Sequence, residues 1–392
     1  MTLTIAKEQR RIAIIGGGPG GLTLALILQK HGIPSVIYER EQEDKSHERG
    51  GSLDIHEESG QQALKEAGLY EAFQRLARYE GEDFRLFDKT GRCYMDEVVE
   101  EDVQGERPEI DRGELCDLLL SKLDPSTIRY GYKLDKAVSL AGGMTELHFE
   151  NGFVDKVHLV IGADGTFSRV RPLLSDTDVD YTGLTMFELN VTDAANRYPD
   201  LAAFNRRGKM FALDDNMGIL AQLNGSGRIK VYVSLKAERE WLEASGITAD
   251  QPQEAKAQLL GLIQDWEGEL QNYIRYADDA VLPRRIYMLP AGFKWKRNSG
   301  VTLIGDAAHV MSPFAGEGVN LAMQDAMELA LAIVRHEGNT AKAIEEYEEK
   351  MYAYSSEKAR ESYDNLVLCF SDNAAPKFAE LMNFYHGQHD GA

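Results

Sequence analysis

The sequence predicts an α/β fold: an open parallel-sheet domain, an antiparallel sheet inserted into it, and a long C-terminal helix bridging the two. Three observations carry this. Short apolar runs at 12–15, 157–161 and 301–304 each end in glycine, with an acid close by or on the next strand, and lead into helical periodicity. From about residue 176 the pattern changes to short strand-like runs separated by turn signals, including the hairpin loop Asn224-Gly225-Ser226-Gly227. The stretch 340–368 has helical spacing, with a charged face at Glu345, Glu346, Glu348, Glu349 and Lys350 and apolar positions at Ile344, Tyr347, Met351 and Tyr354. The expected domains are 1–175 with 277–338, then 176–276, then bridging helices over 339–392.

Composition narrows the function classes. The 392 residues carry a net charge of −21, which argues against nucleic acid or an anionic membrane as the main partner. Cys93, Cys116 and Cys369 are widely spaced and form no C-x-x-C pair, so a reducing compartment and no metal site are expected. The start, MTLTIAKEQRR, has no apolar signal core, and glycines and a proline interrupt the run 12–28, making it a poor membrane span. A cytoplasmic location is expected.

The first strand, 12–15, ends in Gly16-Gly17-Gly18-Pro19-Gly20-Gly21. Gly16, Gly18 and Gly21 match G-x-G-x-x-G: a tight turn, a close backbone approach to a pyrophosphate, and helix packed on strand. A helix over 22–31 and a strand over 35–38 follow, ending in Glu39-Arg40. Glu39 lies 18 residues after Gly21, where an acid bonds the ribose hydroxyls of an adenine dinucleotide. The context is Rossmann-like; an ordinary βαβ unit is the plainer reading. Residues 49–56 alternate like a strand and include Asp54 and His56. Helices are expected at 59–69 and 71–78, and a strand pair at 84–87 and 93–95. Asp111 and Glu114 are spaced as a capping box. Arg112 opposes the dipole of that helix, which a contact elsewhere or simple exposure explains equally. Strands are expected at 128–132, 133–140, 145–149 and 157–161, the last two joined across Asn151-Gly152. The 157–161 strand ends at Asp164-Gly165, with Ser168 and Arg171 in a following helix. Asp164 reads equally as an N-cap or a ligand contact.

In the inserted sheet, strands fall at 183–191, 210–213, 218–223 and 229–235. Glu188, Lys209 and Lys230 on them either reach a pocket or face solvent. The strand 301–304 ends at Gly305-Asp306, which places the Asp306 carboxylate where open parallel sheets bind ligands. A turn over 312–318 leads to a helix whose N-terminus favours negative charge beside it.

Three motifs in this order resemble those of the class A flavoprotein monooxygenases, the group that includes p-hydroxybenzoate hydroxylase. They are the glycine fingerprint with Glu39-Arg40, the Asp164-Gly165…Ser168…Arg171 segment, and Gly305-Asp306-Ala307-Ala308-His309…Pro313…Gly316-Glu317-Gly318. Within the group, the segments GGSLDIHEESGQQALKEAGL, PEIDRGEL and IGDAAHVMSPFAGEGVN are similar to tetracycline-inactivating monooxygenases. The resemblance implies FAD. Glu39 and Arg40 would hold the adenosine ribose, and the Leu134 backbone would touch the adenine. Asp306 would bond the ribityl chain or pyrophosphate. Asp54 and Arg112 would lie near the flavin, with Asp164 in the second motif of the cofactor site. Gly316, Gly318, Val319 and Asn320 would edge the isoalloxazine ring.

It also implies the reaction. NADPH or NADH reduces FAD, O2 adds to give a C4a-hydroperoxide, and one oxygen atom passes to an aromatic or polycyclic small molecule. No catalytic side chain is required; His56 and Asp54 are the nearest candidates for steering a proton, with packing as their plainer role. The nicotinamide cofactor would meet Arg49 or His47. The substrate would meet Glu188, Lys209, Lys230, Pro313, Gly316 and Phe378. Glu188, Lys209, Ala221 and Lys230 stand where the tetracycline enzymes use glutamine, arginine, phenylalanine and histidine. The flavin site therefore carries over better than the drug does. A monomer is expected. A reductase or epoxidase of an isoprenoid lipid and a non-catalytic redox sensor are the rival readings.

Overall fold

The computed structural model describes residues 11–43, 50–99 and 106–389. Its centre is a five-stranded parallel sheet in the order Val301–Leu303, Leu159–Gly162, Ile12–Ile15, Val36–Tyr38, Ile128–Arg129. The first three strands are buried at every residue, as continuous apolar runs covered on both faces must be. Ile15 pairs with both Gly162 and Tyr38, and Gly162 pairs with Leu303. One register therefore brings Gly16, Glu39, Ala163 and the Gly305 turn to the same sheet edge. The helices Pro19–Lys30 and Gly318–Arg335 pack on each other and begin near that edge.

The expected strand 157–161 is two strands. Val154–Val157 is exposed at alternate residues and forms a hairpin with Thr145–Phe149, whereas Leu159–Gly162 is wholly buried and enters the parallel sheet. The change from alternating to continuous burial marks the break at His158. No α-helix follows Asp164; residues 166–170 turn, and a single 3-10 turn spans Arg171–Leu173.

The second sheet has seven strands: Leu282–Met288, Asp180–Val191, Ile229–Lys236, Met217–Leu223, Lys209–Asp214, Phe84–Phe87, Cys93–Glu97. Three of them lie outside 176–276, the range to which the sequence alone assigned this sheet. Phe84–Phe87 joins in parallel beside Lys209–Asp214, a pairing that local pattern does not reveal. One face buries Phe187, Leu189, Met210, Ala221, Val231 and Val233 under the helices of 194–277. The other face carries Phe84, Leu86, Phe211, Leu220 and Tyr232. A ribbon of Ser52–Asp54 with Glu109–Asp111 lies beside that face, because a Cβ on Gly51 would stand 3.3 Å from the Tyr232 hydroxyl.

The helix Thr340–Cys369 bridges both sheets. Near its start, buried Glu348 accepts from the Trp295 indole and from Thr302 Oγ1, each at 2.9 Å, and the Tyr347 hydroxyl donates to Leu303 O at 2.8 Å. Its last turn buries Leu366 and Cys369 against the aromatic face of the seven-stranded sheet. The final helix, Ala374–His389, continues that cover with Ala375, Phe378 and Ala379. Among the described residues no helix is long and apolar enough to cross a membrane.

Candidate functional site

At the parallel sheet's edge the glycines do different work. Gly16 holds φ +110°, and a Cβ there would stand 2.2 Å from Ala163 O. A Cβ on Gly21 would stand 2.1 Å from Gly16 O. Both positions exclude any side chain. Gly18 is open, its nearest neighbour being Arg112 Nη2 at 3.7 Å. Glu39 accepts from Gly17 N at 2.6 Å and from Glu41 N at 2.8 Å, so it braces the turn while remaining partly exposed. Arg40 is exposed, with its guanidinium 3.5 Å from Glu41. Tyr132 N donates to Glu39 O at 2.8 Å, which brings Leu134, two residues on, to this end of the edge.

Asp164 settles as a turn residue. Its carboxylate accepts from Ser168 Oγ at 2.6 Å and Arg169 N at 2.7 Å, and caps no helix. Buried Arg171 ties two loops together: Nε donates to Ala307 O at 2.9 Å and Nη2 to Thr166 O at 2.9 Å and Asp306 O at 3.2 Å. The exposed Asp306 carboxylate accepts from Thr166 at 3.3 Å. Asp111 makes no capping box either, because it accepts from Arg78 at 2.8 Å and Gly225 N at 3.2 Å. That leaves the N-terminus of the Arg112–Leu120 helix without its side-chain cap.

The other end of the site is closed by one buried amide. Asn320 Nδ2 donates to Asp54 O at 2.9 Å and Gly316 O at 3.2 Å, and its Oδ1 accepts from His56 N at 2.9 Å. A Cβ on Gly316, φ +68°, would lie 3.1 Å from Asp54 Oδ2. Gly318 is open, with nothing within 4 Å of a Cβ. Val319 is half-buried on the same turn. Two helix N-termini, an exposed Asp306, an open Gly18 and the Arg112 guanidinium thus share one edge. An elongated ligand with a pyrophosphate in the middle fits that donor set. The residues present fit FAD.

The site-facing side of the seven-stranded sheet carries a polar row. Lys209 pairs with Gln222, and Gln222 with Lys230, in register, which puts all three on one face. Lys230 is buried in an ion pair with Glu188, whose second oxygen meets Arg284 at 2.7 Å. Ala221 points the opposite way, into the core under the helices, because successive strand residues alternate. Aromatic rings flank the row: Phe84 and Phe211 are 5.3 Å apart edge to face, and Phe378 is 6.1 Å and 6.2 Å from them. Pro313 is exposed at the start of a 3-10 turn beside Phe314. His47 and Arg49 lie outside the described residues.

Residues 9–115 and 156–362 match the family of FAD binding domains. The chain belongs to that family. It is 29% identical to monooxygenase asqM of Emericella nidulans over 96% of this chain and 99% of that protein. A protein of Photorhabdus luminescens described as an FAD-containing monooxygenase is 25% identical with a TM-score of 0.75, over 92% of this chain and 98% of that one. Tetracycline destructase Tet(51) superposes with a TM-score of 0.69 at 20% identity, over 95% and 94% of the chains; that likeness is one of fold. The protein is an FAD-dependent monooxygenase.

Several groups of this flavoprotein monooxygenase escaped the sequence reading. Glu109, fully buried, accepts from Ser52 and Gln222, each at 2.7 Å, and faces Lys209 at 3.1 Å. It opens the short strand Glu109–Asp111, whose alternation of acid and apolar residue does not tell a buried acid from an exposed one. Lys209 also meets Asp54 at 3.4 Å. Burial pushes the Asp54 carboxyl up, but the Lys209 ammonium and His56 outweigh it and hold it below the usual range. Burial pushes His56 down, and the carboxylates of Asp54 and Glu317 more than reverse that, raising it. Glu317, the N-cap residue of Gly318–Arg335, is buried between His56 and Lys358.

Proposed function

We propose that this monooxygenase takes electrons from NADPH or NADH and inserts one atom of O2 into an aromatic or polycyclic small molecule, tetracycline being one substrate to try. The observation that carries the reading is the polar row of Lys209, Gln222 and Lys230 framed by Phe84, Phe211 and Phe378 on the face toward the FAD site. A flat ring stacks on such walls, and the polar row offers hydrogen-bonding groups to a phenol or enol oxygen. When bound, FAD supplies the redox chemistry that activates dioxygen.

In this reading Glu39 and Arg40 hold the adenosine ribose and the Leu134 backbone meets the adenine. Gly16, Gly18 and Gly21 admit the pyrophosphate, and Arg112 offsets its charge. Asp306 bonds the ribityl chain, while Asp164 holds the adjoining turn. Residues 316–320 edge the ring, where the N-terminus of the Gly318–Arg335 helix stabilises negative charge. Glu188, Lys209, Lys230, Pro313, Gly316 and Phe378 contact the substrate and keep water out. Arg49 and His47 receive the nicotinamide cofactor. We assign 1–175 with 277–338 to the FAD-binding unit, 176–276 to the substrate side, and 339–392 to bridging helices. Three unpaired cysteines and the charge of −21 support a cytoplasmic monomer.

Oxidation of NADPH by the FAD-loaded protein, with and without tetracycline, tests the reading. Stimulated oxidation with a product heavier by one oxygen atom supports it. Hydrogen peroxide alone, with the drug intact, removes tetracycline. Asp306→Ala is expected to release FAD on gel filtration; unchanged flavin occupancy would refute the ribityl assignment.

A further inference from the structure

Seven charged side chains of alternating sign cross the molecule from the seven-stranded sheet to the long C-terminal helix: Glu109, Lys209, Asp54, His56, Glu317, Lys358 and Glu361. Lys209 stands 3.1 Å from Glu109 and 3.4 Å from Asp54. His56 Nε2 is 3.5 Å from Asp54 and its Nδ1 3.5 Å from Glu317. Lys358 is 2.7 Å from Glu317 and 3.2 Å from Glu361. Side-chain exposure is 0% at Glu109, 28% at Lys209, 20% at Asp54, 0% at His56, 4% at Glu317, 30% at Lys358 and 41% at Glu361, so His56 and Glu317 form a buried link between a half-buried site end and solvent.

His56 is the unusual member. It is wholly buried, has a carboxylate opposite each ring nitrogen, and makes no hydrogen bond through either. Besides Asp54 and Glu317, Glu58 stands 3.9 Å from Nδ1, the Arg107 charge acts from another segment, and Asn320 accepts from the backbone N–H. Gaps of 3.5 Å lie about 0.6 Å beyond a charge-assisted bond. Either carboxylate can therefore engage the ring after a small side-chain movement.

Hydroxylation needs a proton. Substrate, O2, reduced nicotinamide and one H⁺ give hydroxylated substrate, water and oxidised nicotinamide. A site that excludes water must bring that proton in. We infer that His56, Glu317 and Lys358 form the path by which protons pass between solvent and Asp54, at the ring end of the FAD site. The inference rests on the assignment of 316–320 to the ring. The imidazolium gives its Nε2 proton to the Asp54 carboxylate, an uphill step that completes only as Asp54 passes the proton on into the site. The neutral ring then turns over and is recharged by Glu317, which Lys358 and solvent resupply. No charge is left behind after one passage. His56, Glu317 and Lys358 act through Asp54 and are positioning residues for proton transfer.

The test needs no substrate. The FAD-loaded full chain is reduced by dithionite without oxygen, then mixed with oxygenated buffer while the ring absorbance is followed. Here O2 takes two electrons and two protons, one of them from solvent, and leaves as hydrogen peroxide. Lys358→Met is expected to slow reoxidation on the order of tenfold above about pH 8, with added ethylamine restoring it and Lys358→Arg, which keeps the charge but releases no proton, leaving it slow. In the FAD-free chain, Glu317→Gln is expected to lower the titration midpoint of the His56 ring, read by NMR of 13C-labelled histidine. Wild-type reoxidation is expected to show a solvent deuterium isotope effect. Reoxidation of folded, FAD-bound Lys358→Met within about twofold of wild type across that range overturns the path. If Lys358→Met does not retain FAD, a wild-type isotope effect near unity overturns it instead. A Gly316→Val protein that binds FAD with an unshifted ring spectrum would refute the ring assignment, a failure separate from that of the path.

Discussion

Asp54 and His56 lie two residues apart and shift each other, together with Lys209 and Glu317 from far along the chain. Against burial, Lys209 and His56 lower the Asp54 carboxyl, and Asp54 and Glu317 raise His56. The signs give a pH profile for the FAD-free protein. His56, raised on folding, contributes stability that is complete below the ordinary histidine value, about 6.5, and is lost as pH climbs through its raised value. Asp54 and Glu317, both lowered, contribute above the ordinary carboxylate range and lose it as pH falls through their depressed values. Urea midpoints are expected to be highest between about pH 5 and 6.5 and to decline above that range. His56→Gln should flatten the alkaline limb; a limb unchanged by it would remove His56 as the cause. Lys209→Met leaves Glu109 fully buried without its cation and is expected to cost about 2 kcal/mol by urea unfolding, recovered in part by Glu109→Gln in the same chain.

At the scale of the element, the strand–turn–helix of 12–30 separates two kinds of glycine. Gly16→Ala puts a methyl 2.2 Å from a backbone oxygen in a left-handed conformation, so the variant is expected to lose several kcal/mol and accumulate as insoluble protein. Gly18→Ala meets only a flexible guanidinium 3.7 Å away. It is expected to fold with a melting temperature near that of the parent but to lose FAD, because the methyl enters the space left for the pyrophosphate. Equal FAD content in Gly18→Ala and the parent would move the pyrophosphate elsewhere. The same element was legible in the sequence: apolar continuity, glycine spacing and the acid at Glu39 all stood in one stretch. The helices expected after Asp164 and the cap expected at Asp111 were not, because both acids found nearer donors in Ser168 and Arg169, and in Arg78 and Gly225.

Across the whole molecule, the Thr340–Cys369 helix joins the two sheets, with Glu348 and Tyr347 bonded to the parallel-sheet side at one end and apolar side chains packed at the other. Glu348 accepts from both Trp295 and Thr302. Glu348→Ala is expected to strand two buried donors and cost about 2–3 kcal/mol, visible as a lowered urea midpoint. Unchanged stability would show that water replaces the carboxylate. The covalent order of the chain also hides how the second sheet is made, since Phe84–Phe87 and Cys93–Glu97 cross over from the first unit to complete it.

The sequence by itself determined the parallel strands and the sheet edge with Gly16, Glu39 and Asp306, because each rests on spacing within a short segment, while FAD came from the resemblance of three motifs taken together. Only the tertiary structure decided the parallel pairing of Phe84–Phe87 with Lys209–Asp214, the burial of Ala221 in the core under the helices, and the line of charges through Lys209, Asp54, His56, Glu317 and Lys358. Those depend on segments distant in sequence, such as Phe84 and Lys209, Asp54 and Lys209, and His56 and Glu317, meeting where desolvation, and not local propensity, dictates the partner.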